Sequence, residues 1–292
     1  MNKPLLALAV AAFSLHAADL FPFVVPWDDA APGITDLSSW NDKPAGKAGF
    51  VETRDGHLFA GDKRIRFFGV NFCFGANFPT KEAAPKIAAH LAKLGVNCVR
   101  FHHMDLQAAP AGLFAADGMS LDAERLDRLD FFIAQLKEQG IYADLNLHVS
   151  RTYPDRPKEE KASNPTFDKG VDNFDARMIE LQKDYARALL THVNTYTGQA
   201  YATEPAVALV EINNENALLD EWHNGGLDII AAPYREELTA LWNQFLAGRG
   251  TDDELRARFA EGAHEPGPEL LKGGSTSSLS GWAIEQHEGT RC

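Results

Sequence analysis

Ile141-Tyr142-Ala143-Asp144-Leu145-Asn146-Leu147-His148-Val149 is the stretch on which the fold turns. Successive side chains of a strand point to opposite faces. Ala143, Leu145, Leu147 and Val149 therefore share one face, and Asp144, Asn146 and His148 share the other. The run from Ala206 repeats the pattern, with Val210 and Ile212 against Glu211, Asn213 and Glu215. Upstream, Phe68, Val70, Phe72 and Phe74 oppose Gly69 and Asn71. A doubly wound sheet buries both faces under helices, so its strands read as continuous apolar runs. One apolar face and one face of carboxylates, amides and imidazoles fit a barrel instead, with helices outside and a polar lumen. No glycine-rich phosphate loop follows the first strand, which removes the main signal of a nucleotide fold.

Outward from those strands, the chain alternates strand and helix. Strands are expected at Phe67–Cys73, Val96–Phe101, Ile141–Val149 and Ala206–Asn213. Thr80 opens the first helix, in which Ile87, Leu91 and Leu94 share a face before Gly95 ends it. Ser120 caps the second, with Leu126, Leu129, Ile133 and Leu136 inward and Gly140 closing it. Residues 175–197 form the third, with Met178, Leu181, Tyr185 and Leu189 on one side and Gly198 at its end. Pro233–Leu246 is the fourth. Four strand–helix units in succession give a parallel α/β sheet. Before them, Asp19–Lys47 is an irregular lead-in, and Phe50–Arg66 reads as a hairpin turning at Asp55-Gly56 and Gly61-Asp62.

The ends of the chain carry different signals. Met1-Asn2-Lys3 is a short basic start, Pro4–Leu15 is almost wholly apolar, and His16-Ala17-Ala18 supplies small residues. That is the layout of an export leader cleaved after Ala17 or Ala18. Its 12-residue apolar run is well short of the roughly 20 residues that cross a bilayer, and no later segment is long enough to span. Of the three cysteines, Cys73 and Cys98 on consecutive strands either pair or remain buried thiols, and Cys292 is terminal. Twenty-eight basic against 41 acidic residues give a net charge of -13, a field that repels phosphate backbones and argues against nucleic-acid binding.

In barrels of this kind the chemistry sits where strands end and the following loops begin. The second strand ends in Arg100-Phe101-His102-His103-Met104-Asp105, the third in His148, and the fourth in Glu211-Ile212-Asn213-Asn214-Glu215-Asn216. The run Val-Ala-Leu-Val-Glu-Ile-Asn-Asn-Glu-Asn at 207–216 resembles the Asn-Glu signature of retaining glycoside hydrolases with (β/α)8 barrels, in particular the cellulase-like family 5. Arg100 before the paired histidines, and Asp144-Leu145-Asn146-Leu147-His148, are similar to that family as well. The resemblance spans roughly residues 64–247. Together with the leader, it implies an exported retaining β-glycoside hydrolase acting on a polysaccharide or oligosaccharide, with a carbohydrate substrate as its partner and no cofactor or metal. Glu215 would be the general acid/base and Asn214 would bond the sugar 2-hydroxyl. Arg100 would sit beneath the nucleophile, and His148 would contact sugar or carboxylate. Glycosidic cleavage with retention needs two carboxyl groups about 5–5.5 Å apart.

Other residues carry competing readings. Glu211 lies two pleats below the rim and reads as a lumen ion-pair member. His103 faces away from Arg100 and reads as packing or surface. His102 shares the Arg100 face, where sugar binding and plain hydrogen bonding both fit. Trp222, Phe78 and Tyr153 lie in loops where rings could stack on sugars or simply pack. A metal-dependent hydrolase using His102, His103, Asp105 and His148 is the rival, although adjacent strand residues point to opposite faces. A non-catalytic carbohydrate-binding fragment is the other alternative.

The nucleophile of the resembling family stands on strand seven, and no fifth strand is legible here. A (β/α)8 barrel takes about 250 residues, yet the fourth strand ends only at residue 213. The expected organisation is a leader at 1–17, a lead-in with hairpin at 18–66, strands one to four of a barrel at 67–260, and a linker and tail at 261–292. The chain thus reads as the N-terminal half of a TIM barrel, truncated at its C-terminus, with the nucleophile beyond residue 292. A charged helix is expected over Arg249–Phe259. The tail reads as two short strands; with its Gly281-Trp282 pair it resembles the start of a carbohydrate-binding β-sandwich, and a disordered end is the alternative.

Overall fold

Asp55 and Gly56 both take positive φ, 51° and 72°, as a two-residue turn matched to strand twist requires. That turn pairs β1 (Val51–Arg54) with β2 (His57–Ala60), placing Arg54 opposite His57, and β3 (Lys63–Arg64) returns along β2. The expected hairpin is present, with both turns at the Asp-Gly and Gly-Asp pairs. The computed structural model describes residues 25–106, 111–154, 168–251 and 254, plus the short strands Gln286–His287 and Thr290–Arg291. The leader at 1–17, Gly281-Trp282, Cys292, and most of the 249–259 helix and of the tail lie outside the described residues. The two short strands pair antiparallel.

Beyond the hairpin, β4 (Gly69–Cys73), β5 (Cys98–His102), β6 (Tyr142–His148) and β7 (Val207–Asn213) form one parallel sheet in that order. The intervening helices are α1 (Ala84–Lys93), α2 (Ala123–Glu138) and α3 (Ala176–Leu190). Sequential parallel strands joined by helices are the repeating unit of a (β/α) barrel. The apolar strand face supplies Val99, Phe101, Ala143, Leu145 and Leu147 to one core, with Leu129, Phe132, Ile133 and Leu136 of α2 against them. Phe132 stacks on Phe72 at 5.6 Å and meets Phe101 edge-on at 5.9 Å. Each such side chain contributes roughly 1.5–3 kcal/mol by burial.

Several boundaries differ from those read in the sequence. The first helix starts at Ala84, with Pro85 in its first turn, because proline is tolerated only where no intrahelical N–H is needed. Leu94 is half exposed, and Ala88 and Ala92 take the buried face beside Leu91. Asp122, not Ser120, caps α2 by accepting from the Arg125 N–H at 2.9 Å, while Ser120 bonds Asp117. The third helix stops at Leu190. Asn194 accepts from the Tyr196 N–H at 2.9 Å, and a bridge between Val193 and Ala200 makes a tight turn in which Gly198 has φ 70°. An asparagine side chain that completes a turn competes with helix continuation.

Packing divides the chain into two units, one of residues up to 155 with 180–216 and one of residues 156–179 with 217 onward. The sheet belongs to the first. The second contains α4 (Leu218–His223), which the sequence did not signal, and α5 (Ala232–Ala247), close to the expected helix. Cys73 and Cys98 are free thiols, and the register explains why. Cys98 stands opposite Gly69 and Cys73 opposite His102, so the two lie four strand positions apart, about 13 Å, beyond disulfide reach.

Candidate active site

Pairing registers turn the strand alternation into rows of polar side chains. Asn71 on β4 stands beside Arg100 on β5, and Arg100 stands beside Asp144 on β6. Between β6 and β7 the register shifts at Ala143 and Asp144, so Ala143 pairs with Val207 but Asp144 with Leu209. β7 thus carries one extra residue there, a bulge. The shift sets Glu211 beside Asn146 and Asn213 beside His148. In an unshifted ladder Val210 would occupy the place of Glu211.

The rows meet at Arg100. Its Nε donates to Glu211 Oε1 at 2.5 Å, and its terminal nitrogens donate to Glu211 Oε2 at 2.6 Å, Asn214 Oδ1 at 2.9 Å and Asn71 Oδ1 at 3.4 Å. The amide of Asn146, wholly buried, donates to Glu211 as well. Planar guanidinium against carboxylate gives two parallel charge-assisted bonds, the strong form of an ion pair. The hydrogen bond from Arg100 holds the Glu211 carboxyl well below its usual range, against an upward push from burial. Burial raises Asp144, to about 7, and its hydrogen bond and repulsion with Glu211 add to that shift. Two adjacent carboxyl groups with one strong cation keep one proton between them, and Asp144 holds it.

This arrangement sets a pH dependence. Asp144 is raised above its unfolded value, so its contribution to stability is complete below about pH 4 and lost as pH climbs through about 7. Glu211 is lowered, so its contribution persists above its unfolded value and disappears only in strong acid. The thermal midpoint should therefore fall from about pH 4 to about pH 7 relative to that of Asp144→Asn, whose amide donates to Glu211 at any pH. Parallel midpoint curves for the two proteins would refute the shared proton.

At the rim of the sheet, His148 Nδ1 lies 3.4 Å from Asp105 Oδ2. Asp105 is fully buried and accepts from the backbone N–H groups of Val149 at 2.8 Å and Ser150 at 2.9 Å. Burial pushes the Asp105 carboxyl up, but His148 and those two backbone donors outweigh it and the net shift is downward. His103 Nδ1 meets Ser150 Oγ at 3.0 Å and its ring stacks on Phe74, in keeping with packing. His102 is buried, and desolvation, then the charges of Arg100 and His103, lower its pKa, which favours the uncharged imidazole. Among the described residues no three His, Cys, Asp or Glu side chains converge at metal-ligand spacing; of the metal-dependent rival's four ligands, Asp105 is taken up by His148 and backbone donors and His103 by Ser150 Oγ.

Asn214 and Glu215 follow β7 directly. Asn214 donates its backbone N–H to His148 O at 2.9 Å. Glu215 is exposed and takes φ 47°, a left-handed conformation uncommon outside glycine. The strand therefore ends in a sharp turn that carries the carboxylate out of the pleat. The structure thus brings Arg100, Glu211 and Asn214 into direct contact and couples His148 to Asp105. Trp222 stands exposed on α4 in the other unit. Phe78 and Tyr153 are buried, which removes them as stacking platforms. Arg151 was not singled out by the sequence. It is buried, donates to Leu181 O at 2.5 Å and lies 4.4 Å from the Phe114 ring centroid. An arginine beginning a loop gave no signal of such burial.

A parallel strand–helix sheet with its polar face leading to Asn-Glu at a strand end defines the barrel class whose reactions occur at that rim. The chain belongs to the family Cellulase (glycosyl hydrolase family 5), which matches residues 58–245. It is 30% identical over 182 residues to mannan endo-1,4-beta-mannosidase 3 of Oryza sativa subsp. japonica, covering 55% of this chain and 36% of that protein. It spans, then, about a third of that curated relative. Among solved structures it is similar to the endo-1,4-beta-mannanase of Rhizomucor miehei, with 20% identity, a TM-score of 0.47, and coverage of 57% of this chain and 48% of that one. The endo-beta-1,4-mannanase of Thermotoga petrophila matches with 24% identity, a TM-score of 0.41, and coverage of 57% and 38%.

Proposed function

We propose that this chain carries the catalytic acid/base half of an exported retaining β-glycoside hydrolase whose substrate is a β-1,4-mannan. The observation that carries this reading is the family match across residues 58–245 in a sheet whose fourth parallel strand leads directly into Asn214-Glu215. Glu215 protonates the departing glycosidic oxygen and then takes a proton from the water that completes hydrolysis. Asn214 binds the sugar 2-hydroxyl. His148, oriented by Asp105, and His102 line the same polar face; Trp222, exposed in the second unit, presents a ring of the kind that stacks on sugars. The retaining reaction also requires a nucleophilic carboxylate, to which no described residue is assigned.

The mannan preference draws on the mannan endo-1,4-beta-mannosidase name of the rice relative. It also fits the site, because mannose and glucose differ in configuration at C2, whose hydroxyl Asn214 is proposed to bind. Reducing-end release from β-1,4-mannan and β-1,4-glucan, measured beside Glu215→Gln, tests both parts. Mannan cleavage that vanishes in the variant supports the proposal. Faster glucan cleavage would overturn the substrate, and glycan binding with no turnover would overturn the enzyme. Export through residues 1–17 has its own measurement. N-terminal sequencing of protein recovered outside the cytoplasm should begin at Ala18 or Asp19, and a retained Met1 would refute cleavage.

A further inference from the structure

Which end of the Asn214 amide faces outward is decided two residues away from it in the hydrogen-bond chain. An arginine guanidinium has five N–H donors and no acceptor. Arg100 meets Asn214 at 2.9 Å, so the group facing it must be the amide oxygen, whatever the amide's own preference. The Nδ2 donors of Asn214 are thereby turned away from Arg100. The same logic applies to Asn71, whose oxygen accepts from Arg100 at 3.4 Å and whose Nδ2 lies 3.2 Å from Cys73 Sγ. It applies in reverse to Asn146, since an ionised carboxylate only accepts and Glu211 must receive the Asn146 N–H.

Arg100 in turn has one strong anchor. Two of its five N–H groups are fixed on Glu211 at 2.5 and 2.6 Å, which sets the plane and rotation of the guanidinium. We infer that Glu211 is a positioning residue that, through Arg100, fixes the Asn214 amide with its donors presented outward. A residue read as a plain lumen ion-pair member then sets the polarity of the group beside Glu215. The consequence for turnover rests on the proposed function; the orientation itself does not.

Side-chain amide NMR of the 15N-labelled chain tests this without requiring turnover. The Asn214 NH2 pair is assigned by its disappearance in Asn214→Asp. Wild type should show it rigid, with an order parameter near 0.85, and Glu211→Gln should shift it and drop that value below about 0.6. The Gln amide opposes an N–H of Arg100 and breaks the fork. The Asn194 pair, bonded to Asp130 O at 2.9 Å, reports that the fold is intact. If Glu211→Gln does not fold, Arg100→Lys keeps the charge without the fork and should loosen the Asn214 pair in the same way. An unmoved, rigid Asn214 pair in either folded variant overturns the inference. On mannan, Glu211→Gln should lower kcat/KM by about 10- to 100-fold, as expected for a lost charge-assisted bond. Loss of the NMR effect with turnover intact would sink the positioning role alone, and loss of turnover in wild type would sink the hydrolase reading alone.

Discussion

Glu215→Gln is expected to slow cleavage of unactivated β-mannosides by about 10²–10⁴-fold, the range typical of a lost general acid/base. The substitution is close to isosteric, and Glu215 is exposed at the turn that ends β7, so the fold should survive. Leaving-group chemistry gives the sharper test. A mannan alkoxide needs a proton as it departs, whereas a nitrophenolate departs unaided. The ratio of wild-type to variant kcat/KM should accordingly be large on mannan and small on an activated aryl glycoside for the glycosylation step. Full activity of Glu215→Gln on a substrate with a poor leaving group would remove Glu215 from the acid/base role.

Asp105→Ala should cost about 3–5 kcal/mol of stability, the penalty for stripping one partner from a buried charged network. The carboxylate is fully buried and accepts from two successive backbone N–H groups, with Ser150 Oγ at 3.3 Å and His148 Nδ1 at 3.4 Å also within its reach. Alanine leaves the Val149 and Ser150 donors without an acceptor and His148 without its orienting partner. A midpoint about 10 °C lower is expected from the entropy of a domain this size. Asp105→Asn should lose less, since its amide oxygen still accepts while its NH2 opposes the backbone donors. Should Asp105→Ala melt with wild type, Asp105 would not be the anchor of this rim.

Strand identity was legible because period-two alternation survives in a half-polar sheet. Asp144, Asn146 and His148 declared their common face, and Glu211 declared its place below the rim. Helix ends were less legible, because the decisive contacts are local competitions among polar side chains. Asp122 outcompeted Ser120 as a cap, and Asn194 closed a turn where the apolar period ran on. Asp105 read as a metal-ligand candidate instead, since nothing in its neighbours announces a bond to the backbone just past the end of β6. The contact between Arg100 and Asn214 was hidden for a similar cause. It joins residues 114 positions apart and depends on the bulge between β6 and β7.

That bulge makes the polar cluster a matter of counting as well as of chemistry. One surplus residue near Ala208 decides whether a carboxylate or a valine arrives beside Asn146, since a one-residue slip exchanges the two faces of a strand. Every substitution tolerated on the apolar face of β7 leaves the cluster assembled, whereas a single deletion at that spot dismantles it without touching any of its members. The vulnerability of this site to insertion and deletion is therefore out of proportion to its vulnerability to point change, and drift in chain length there would silence it sooner than drift in composition.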